Sequence, residues 1–230
     1  CWEWLANIGA PSALVAGAAL ASFFELKEDL KPTASMQPFE RQAKKLVRLL
    51  LLSAFALEIG CLYVSTVTGT MLLGNADMNA VGRGINAIGL SPMGVMMREL
   101  EFEYLFTRAT FFTGLLSWLS SMALFLFAEA SAVTSAALDV NERATRHIRL
   151  ACGSALVALI IMMVAFYNNH LVGYAHLGSV LSRFAVLVVK RYVLCWPPRI
   201  LPIVAVVPGA SAVYHSVRAF FPAKPQQSKA

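Results

Sequence analysis

The sequence predicts an all-α polytopic membrane protein, a bundle of four transmembrane helices followed by an interfacial C-terminal segment. Two observations carry this. Of the 230 residues, 58% are hydrophobic and 14% charged, whereas soluble chains hold about 25% charged residues; the mean hydropathy is +0.64. The apolar residues also gather into four runs long enough to cross hydrocarbon. Lipid offers the backbone no hydrogen-bond partners, so such runs are expected to be helical.

The first run, residues 5–24, is LANIGAPSALVAGAALASFF and holds no charge. Twenty residues at about 1.5 Å each give roughly 30 Å of helix, the thickness of the hydrocarbon core. The run has Glu3 and no basic residue ahead of it, and no clear small-residue cleavage site behind it, so it does not read as a signal peptide. The chain begins at Cys1, which fits either a fragment or a removed presequence. The second run, residues 49–73, holds one charge, Glu58; the third and fourth, residues 109–128 and 150–167, hold none. Residues 99–108 read as a helical lead into the third span.

Between the first two spans, residues 25–45 are charged and contain Pro32 and Pro38, which suits a surface segment. The next connection, residues 74–94, is glycine-rich. Gly82, Gly84 and Gly89 superficially resemble a phosphate cradle, but no strand precedes them and no Lys-Ser/Thr follows. A flexible or re-entrant connection is expected.

Charge divides the chain. Residues 1–142 hold all 13 acidic residues and 9 Lys/Arg, and residues 143–230 hold 10 Lys/Arg and no acid. The predicted organisation is a transmembrane domain over 1–170 and a basic, proline-containing, membrane-associated tail over 171–230. Residues 171–189 carry Arg183 in an apolar setting and suit a tilted or interfacial helix. Residues 196–208 hold four prolines, which predicts an irregular segment. A tail of this charge is expected to meet anionic lipid or an acidic protein face; its basic residues are spread singly among apolar ones, which suits membrane contact and not nucleic acid. With four spans, the Lys/Arg counts on the two sides are ten and nine, so they assign no orientation.

Several chemistries have no support. Cys1, Cys61, Cys152 and Cys195 are scattered, with no C-x-x-C, and no glycosylation sequon is present. No Ser-His-Asp arrangement, Cys-His pair, H-E-x-x-H or P-loop occurs, so an enzyme is not expected. Thr113, Ser117 and Ser121 form a polar stripe that suits hydrogen-bonded helix packing.

The candidate functional residues lie on the spans. Gly9, Ala13, Gly17 and Ala21 recur every fourth position, and Glu25 continues the spacing. Small residues at that interval allow another helix to approach closely, and the stripe ends in a carboxylate at the membrane edge. Two readings follow, a tight helix contact with a polar end or a pore-lining helix with an acidic mouth. Glu58 sits inside the second span, where an insertion cost of about 2.5–3.5 kcal/mol predicts that it faces inward, paired or protonated; Cys61, Leu62, Ser65 and Gly69 share its face. Glu129, His170 and His176 complete the ion or pigment candidates. A lone His, Asn or Glu at a membrane edge can ligate a chlorophyll magnesium, whereas His147, His170 and His176 are not spaced as a haem-ligating pair.

Four patches, in order, resemble the Orai calcium channels. SALVAGAALASFFE (residues 12–25) resembles the first helix of that family. TMLLGN (70–75) is similar to the end of its second. LFLFAEA (124–130), with the pair Ala128 and Glu129, resembles its third, and AFYNNHLV (165–172) the end of its fourth. The resemblance implies a four-helix subunit, six copies around a pore lined by the first helix, and a ring of glutamates at Glu25 selecting calcium. The family's gating positions fall on Ala18 and Ala21, where it carries larger apolar residues, and residues 1–9 lack the basic residues of its inner pore. These departures favour a kept fold with conduction lost.

The expected function is therefore a non-catalytic accessory subunit of a large organellar membrane complex, photosynthetic (thylakoid) first and respiratory (mitochondrial inner membrane) second. Its neighbours would be other membrane subunits and anionic lipid, and chlorophyll, carotenoid or lipid are its candidate ligands. The alternative is a homohexameric, calcium-selective channel of the plasma membrane with Glu25 as its selectivity ring.

Overall fold

The computed structural model describes residues 2–31, 37–82, 100–132, 140–170, 174–193 and 200–220. Those residues form helices with no strand among them: α1 (Trp2–Glu25), α2 (Pro38–Gly82), α3 (Glu101–Ala132), α4 (Val140–Asn169), α5 (Leu177–Val188), continued by a π-helical turn (Val189–Val193), and α6 (Ile200–Phe220). Among the described residues, four helices are long and apolar enough to cross a membrane, over Asn7–Glu25, Pro38–Met71, Glu101–Ser131 and Asn141–Asn169. The chain is an all-α, multi-pass membrane bundle.

The spans run up and down. α2 and α3 form the central pair, α1 packs on α2, and α4 packs on α3. At one end, Leu30, just past α1, is buried with Val47 and Leu51 of α2, and Phe23, Leu26, Trp118, Met122, Leu124 and Phe125 close around them. At the other end, α5 lies across the start of α3: Val180 is buried on Tyr104 and Leu105, and Phe184 packs on Phe102 and Phe106. Aromatic rings mark the contact of α4 with α3. Tyr167 stacks on Phe112 with ring centroids 4.1 Å apart, and Gly153 lies so close to the Phe127 ring that a Cβ would meet it at 3.1 Å.

Charges fasten both ends. Lys44 bridges Glu40 at 3.0 Å and Glu129 at 3.7 Å, and Arg149 reaches the same Glu129 at 3.6 Å. This joins the start of α2, the end of α3 and the start of α4. At the opposite end, Arg183 contacts Glu101 at 2.9 Å and Arg191 contacts Glu103 at 2.8 Å, which ties α5 and the π turn to the start of α3. Two basic residues of the tail, Arg183 and Arg191, thus meet acids of this same chain.

Two expectations about helix extent are corrected. α2 continues to Gly82, so residues 74–82 are helical; Gly84 and Gly89 lie outside the described residues. The proline-rich stretch also enters a helix, since α6 begins at Ile200 and contains Pro202 and Pro208. Pro202 falls in the first turn, where the backbone N–H has no helical partner and its loss costs nothing. Only Pro208 removes an interior bond.

Candidate functional site

The geometry of α1 decides which of its faces is free. Gly9, Ser12, Ala16 and Ala19 are buried against the bundle. Gly9 faces α2, where a Cβ would meet Ser65 Oγ at 3.2 Å. Ala13, Gly17 and Ala21 are exposed, and a Cβ at Gly17 would meet nothing within 4 Å. The four small residues therefore do not form one face. Four residues turn a helix by about 400°, so each step of the stripe drifts roughly 40°. Gly9 lies inside; the other three rotate outward and reach Glu25, which is exposed and has no ion pair among the described residues. Leu14, 76% exposed, flanks the outward group.

Glu58 occupies the crossing of α1, α2 and α3 and is 0% exposed. Its carboxyl Oε2 hydrogen-bonds to Ser12 Oγ, and the same hydroxyl donates to the Glu58 carbonyl oxygen at 2.9 Å. A hydroxyl carries one proton, and a carbonyl can only accept. The single Ser12 proton is thus shared between two acceptors of the same residue, the main-chain carbonyl and the carboxyl Oε2. The second oxygen, Oε1, is buried without a hydrogen-bond partner and lies over Gly114, where a Cβ would be 2.6 Å away. Cys61, Ser65, Thr68 and Gly69 continue the buried face of α2, and Cys61 Sγ reaches the Thr107 carbonyl at 3.5 Å. Glu58 thus faces the bundle interior and not open lipid.

The other candidates separate by their hydrogen bonds. Glu129 is held by Lys44 and Arg149 as a structural anion. His176 caps α5: its Nδ1 accepts from the Ser179 N–H at 3.0 Å, and Ser179 Oγ accepts from the His176 N–H at 3.2 Å. Because Nδ1 accepts, Nε2 carries the proton of the neutral ring, and neither nitrogen is left as a ligand. His170 is different. It is exposed, stacks on Phe166, and its Nδ1 lies 2.9 Å from the Phe166 carbonyl. That carbonyl accepts, so Nδ1 holds the proton and Nε2 keeps a free lone pair. Tyr174, beside Glu101, has its phenol pushed up from the ordinary value by burial first and by the Glu101 charge second.

The stripe on α3 turns back on its own helix. Ser117 Oγ donates to the Thr113 carbonyl at 2.7 Å and Ser121 Oγ to the Trp118 carbonyl at 2.6 Å, so these hydroxyls bond within the helix and not across it. No group of three or more His, Cys, Asp or Glu side chains is placed to hold a metal among the described residues. Ser12, Gly114 and Lys44 were not singled out by the sequence; the first two gain their meaning from the crossing, and Lys44 from its i,i+4 spacing to Glu40. Comparison with models of known protein families, with characterised proteins and with solved structures finds no match.

Proposed function

We propose that this chain is a non-catalytic subunit of a membrane assembly, and that the outward face of α1 is its contact with a neighbouring polypeptide. The supporting observation is the exposed face of α1, which carries the small residues Ala10, Ala13, Gly17 and Ala21, with Leu14 and Phe24 beside them. Small residues let helix backbones approach, and in lipid such approach is what drives helices together.

A second reading rests on Glu25. It is exposed at the last residue of α1, where the helix dipole is already negative and a carboxylate is unfavourable without a cation nearby. In a ring of identical copies with α1 innermost, these carboxylates would converge on the axis and bind calcium, as the resemblance to Orai channels implies. The first reading is preferred because Ala18 and Ala21 offer no bulky constriction to close such a pore.

One experiment separates the two. The Gly17→Cys chain is crosslinked through its thiol in native membranes. A product joining unlike chains supports the accessory subunit, a product of like chains supports the ring, and the absence of any product refutes a contact on this face. Calcium flux through liposomes holding the purified chain, lost in Glu25→Gln, would establish the channel.

A further inference from the structure

The π turn that precedes α6 and the last turn of α6 are tied to opposite ends of the bundle. Just before α6, Arg191 is bonded to Glu103, at the start of α3. At its far end, Lys45 Nζ donates to the carbonyl oxygen of Ala219 at 2.8 Å. Lys45 adjoins Lys44, which bridges to Glu129 near the end of α3. Glu103 and Glu129 are 26 positions apart on one helix, a distance of about 39 Å along its axis and more than the roughly 30 Å of a hydrocarbon core. Between residues 191 and 219 the chain therefore travels the full thickness of the membrane.

The composition of α6 suits that path. It runs 21 residues from Ile200 to Phe220, about 30 Å of helix. No charge occurs from residue 200 to residue 217; Arg199 precedes this stretch and Arg218 follows it. Val204, Val207, Val213, Tyr214 and Val217 are exposed, so the helix presents apolar side chains away from the bundle. Arg218 Nε donates to Tyr214 OH at 3.1 Å, which places an aromatic–cation pair at the end that meets Lys45, as expected at a membrane edge. The Ala219 carbonyl, one of the orphan acceptors of a helix end, finds its donor in Lys45.

We infer that α6 is a fifth membrane-crossing helix, that the partner of its exposed apolar face is the acyl core of the bilayer, and that the start of α1 and the end of α6 lie on opposite sides of the membrane. The interfacial segment is then α5 and its π turn alone. The charge bias changes as well. The Lys44 side gains Arg218, Lys224 and Lys229, which gives it twelve Lys/Arg against seven on the other. The positive-inside rule then places the Lys44 side in the cytoplasmic or equivalent compartment, where a four-span layout left the choice balanced.

The test labels single cysteines in the full chain, with the native cysteines replaced by serine, using a membrane-impermeant thiol reagent on sealed vesicles. Asp29→Cys, past the end of α1, reports the Lys44 side, and Asn169→Cys, at the end of α4, the other. The expected result is that Ala219→Cys is labelled together with Asp29→Cys and opposite to Asn169→Cys. Labelling of Ala219→Cys together with Asn169→Cys would overturn the inference. Val207→Cys gives a second measurement that needs no reference to sidedness. It is expected to lose labelling from both aqueous phases and to be modified by a lipid-soluble reagent; labelling by the impermeant reagent would place α6 on the surface or against a hydrated partner face, and would overturn the proposal.

Discussion

The Ser12 hydroxyl joins α1 to α2 by touching Glu58 twice, at the carboxyl and at the main-chain carbonyl. One small side chain thereby receives the one carboxyl of the apolar run 49–73 and fixes the rotation of α1 on its neighbour. That rotation turns Ala13, Gly17 and Ala21 outward. The buried crossing and the proposed contact face are consequences of one geometry.

A carboxyl enclosed in an apolar bundle with one oxygen unpaired is expected to keep its proton, and a protonated carboxyl in such a setting is the group that reacts with a lipid-soluble carbodiimide. The acid adds across the carbodiimide and rearranges to a stable N-acylurea. Modification is expected at Glu58 in membranes near neutral pH and is expected to be lost in Glu58→Gln. A wild-type chain left unmodified at Glu58 by the hydrophobic reagent would contradict the acid assignment.

Gly114 should tolerate no larger residue. A Cβ there would lie 2.6 Å from Glu58 Oε1 and 3.0 Å from its Cδ and Cγ. The carboxyl would have to leave Ser12, so Gly114→Ala is expected to destabilise the bundle by about 1–3 kcal/mol, the usual range for overpacking. Thermal unfolding in detergent measures this. The double variant Gly114→Ala with Glu58→Ala should recover part of the loss, because it removes the obstructed side chain.

Lys44 and Glu40 are nearly enclosed, with side chains 5% and 8% exposed, and Lys44 also serves Glu129. Removing one member of a buried pair leaves the other uncompensated, which costs about 3–5 kcal/mol. Lys44→Met is expected to lower the unfolding midpoint sharply, and Lys44→Met with Glu40→Gln to restore much of it. An unchanged midpoint in the single variant would mean that water reaches the pair.

Much of this architecture was legible in the sequence, for identifiable reasons. The four spans were visible because long uncharged runs have few other uses. The inward aim of Glu58 followed from the cost of a carboxyl in lipid. Its partner Ser12 was not legible, since the register between helices is set by packing and leaves no local mark. The full length of α2 was hidden because Glu40, Arg41, Lys44 and Lys45 look like a loop until Lys44 is seen paired at i,i+4. The prolines of α6 argued against a helix, although Pro202 sits where a helix accepts proline. The role of His176 carried a signal that was overlooked: Ser179, three residues on, is the spacing of a capping box.

The outward face of α1 gives the last prediction, through two glycines on one helix. A Cβ at Gly9 meets Ser65 Oγ at 3.2 Å and Leu62 Cδ1 at 3.8 Å, whereas one at Gly17 meets nothing within 4 Å. Gly9→Leu is therefore expected to disturb the fold itself and to lower the unfolding midpoint. Gly17→Leu should leave the isolated chain at least as stable, because a helix interior favours leucine over glycine by up to about 1 kcal/mol. In the assembly the same leucine would hold the neighbouring helix away and prevent close backbone approach. The expected outcome is a chain that folds normally but no longer co-purifies at the size of the native complex. If Gly17→Leu keeps the native assembly size, this face is covered by lipid and not by protein, and the proposed contact is wrong.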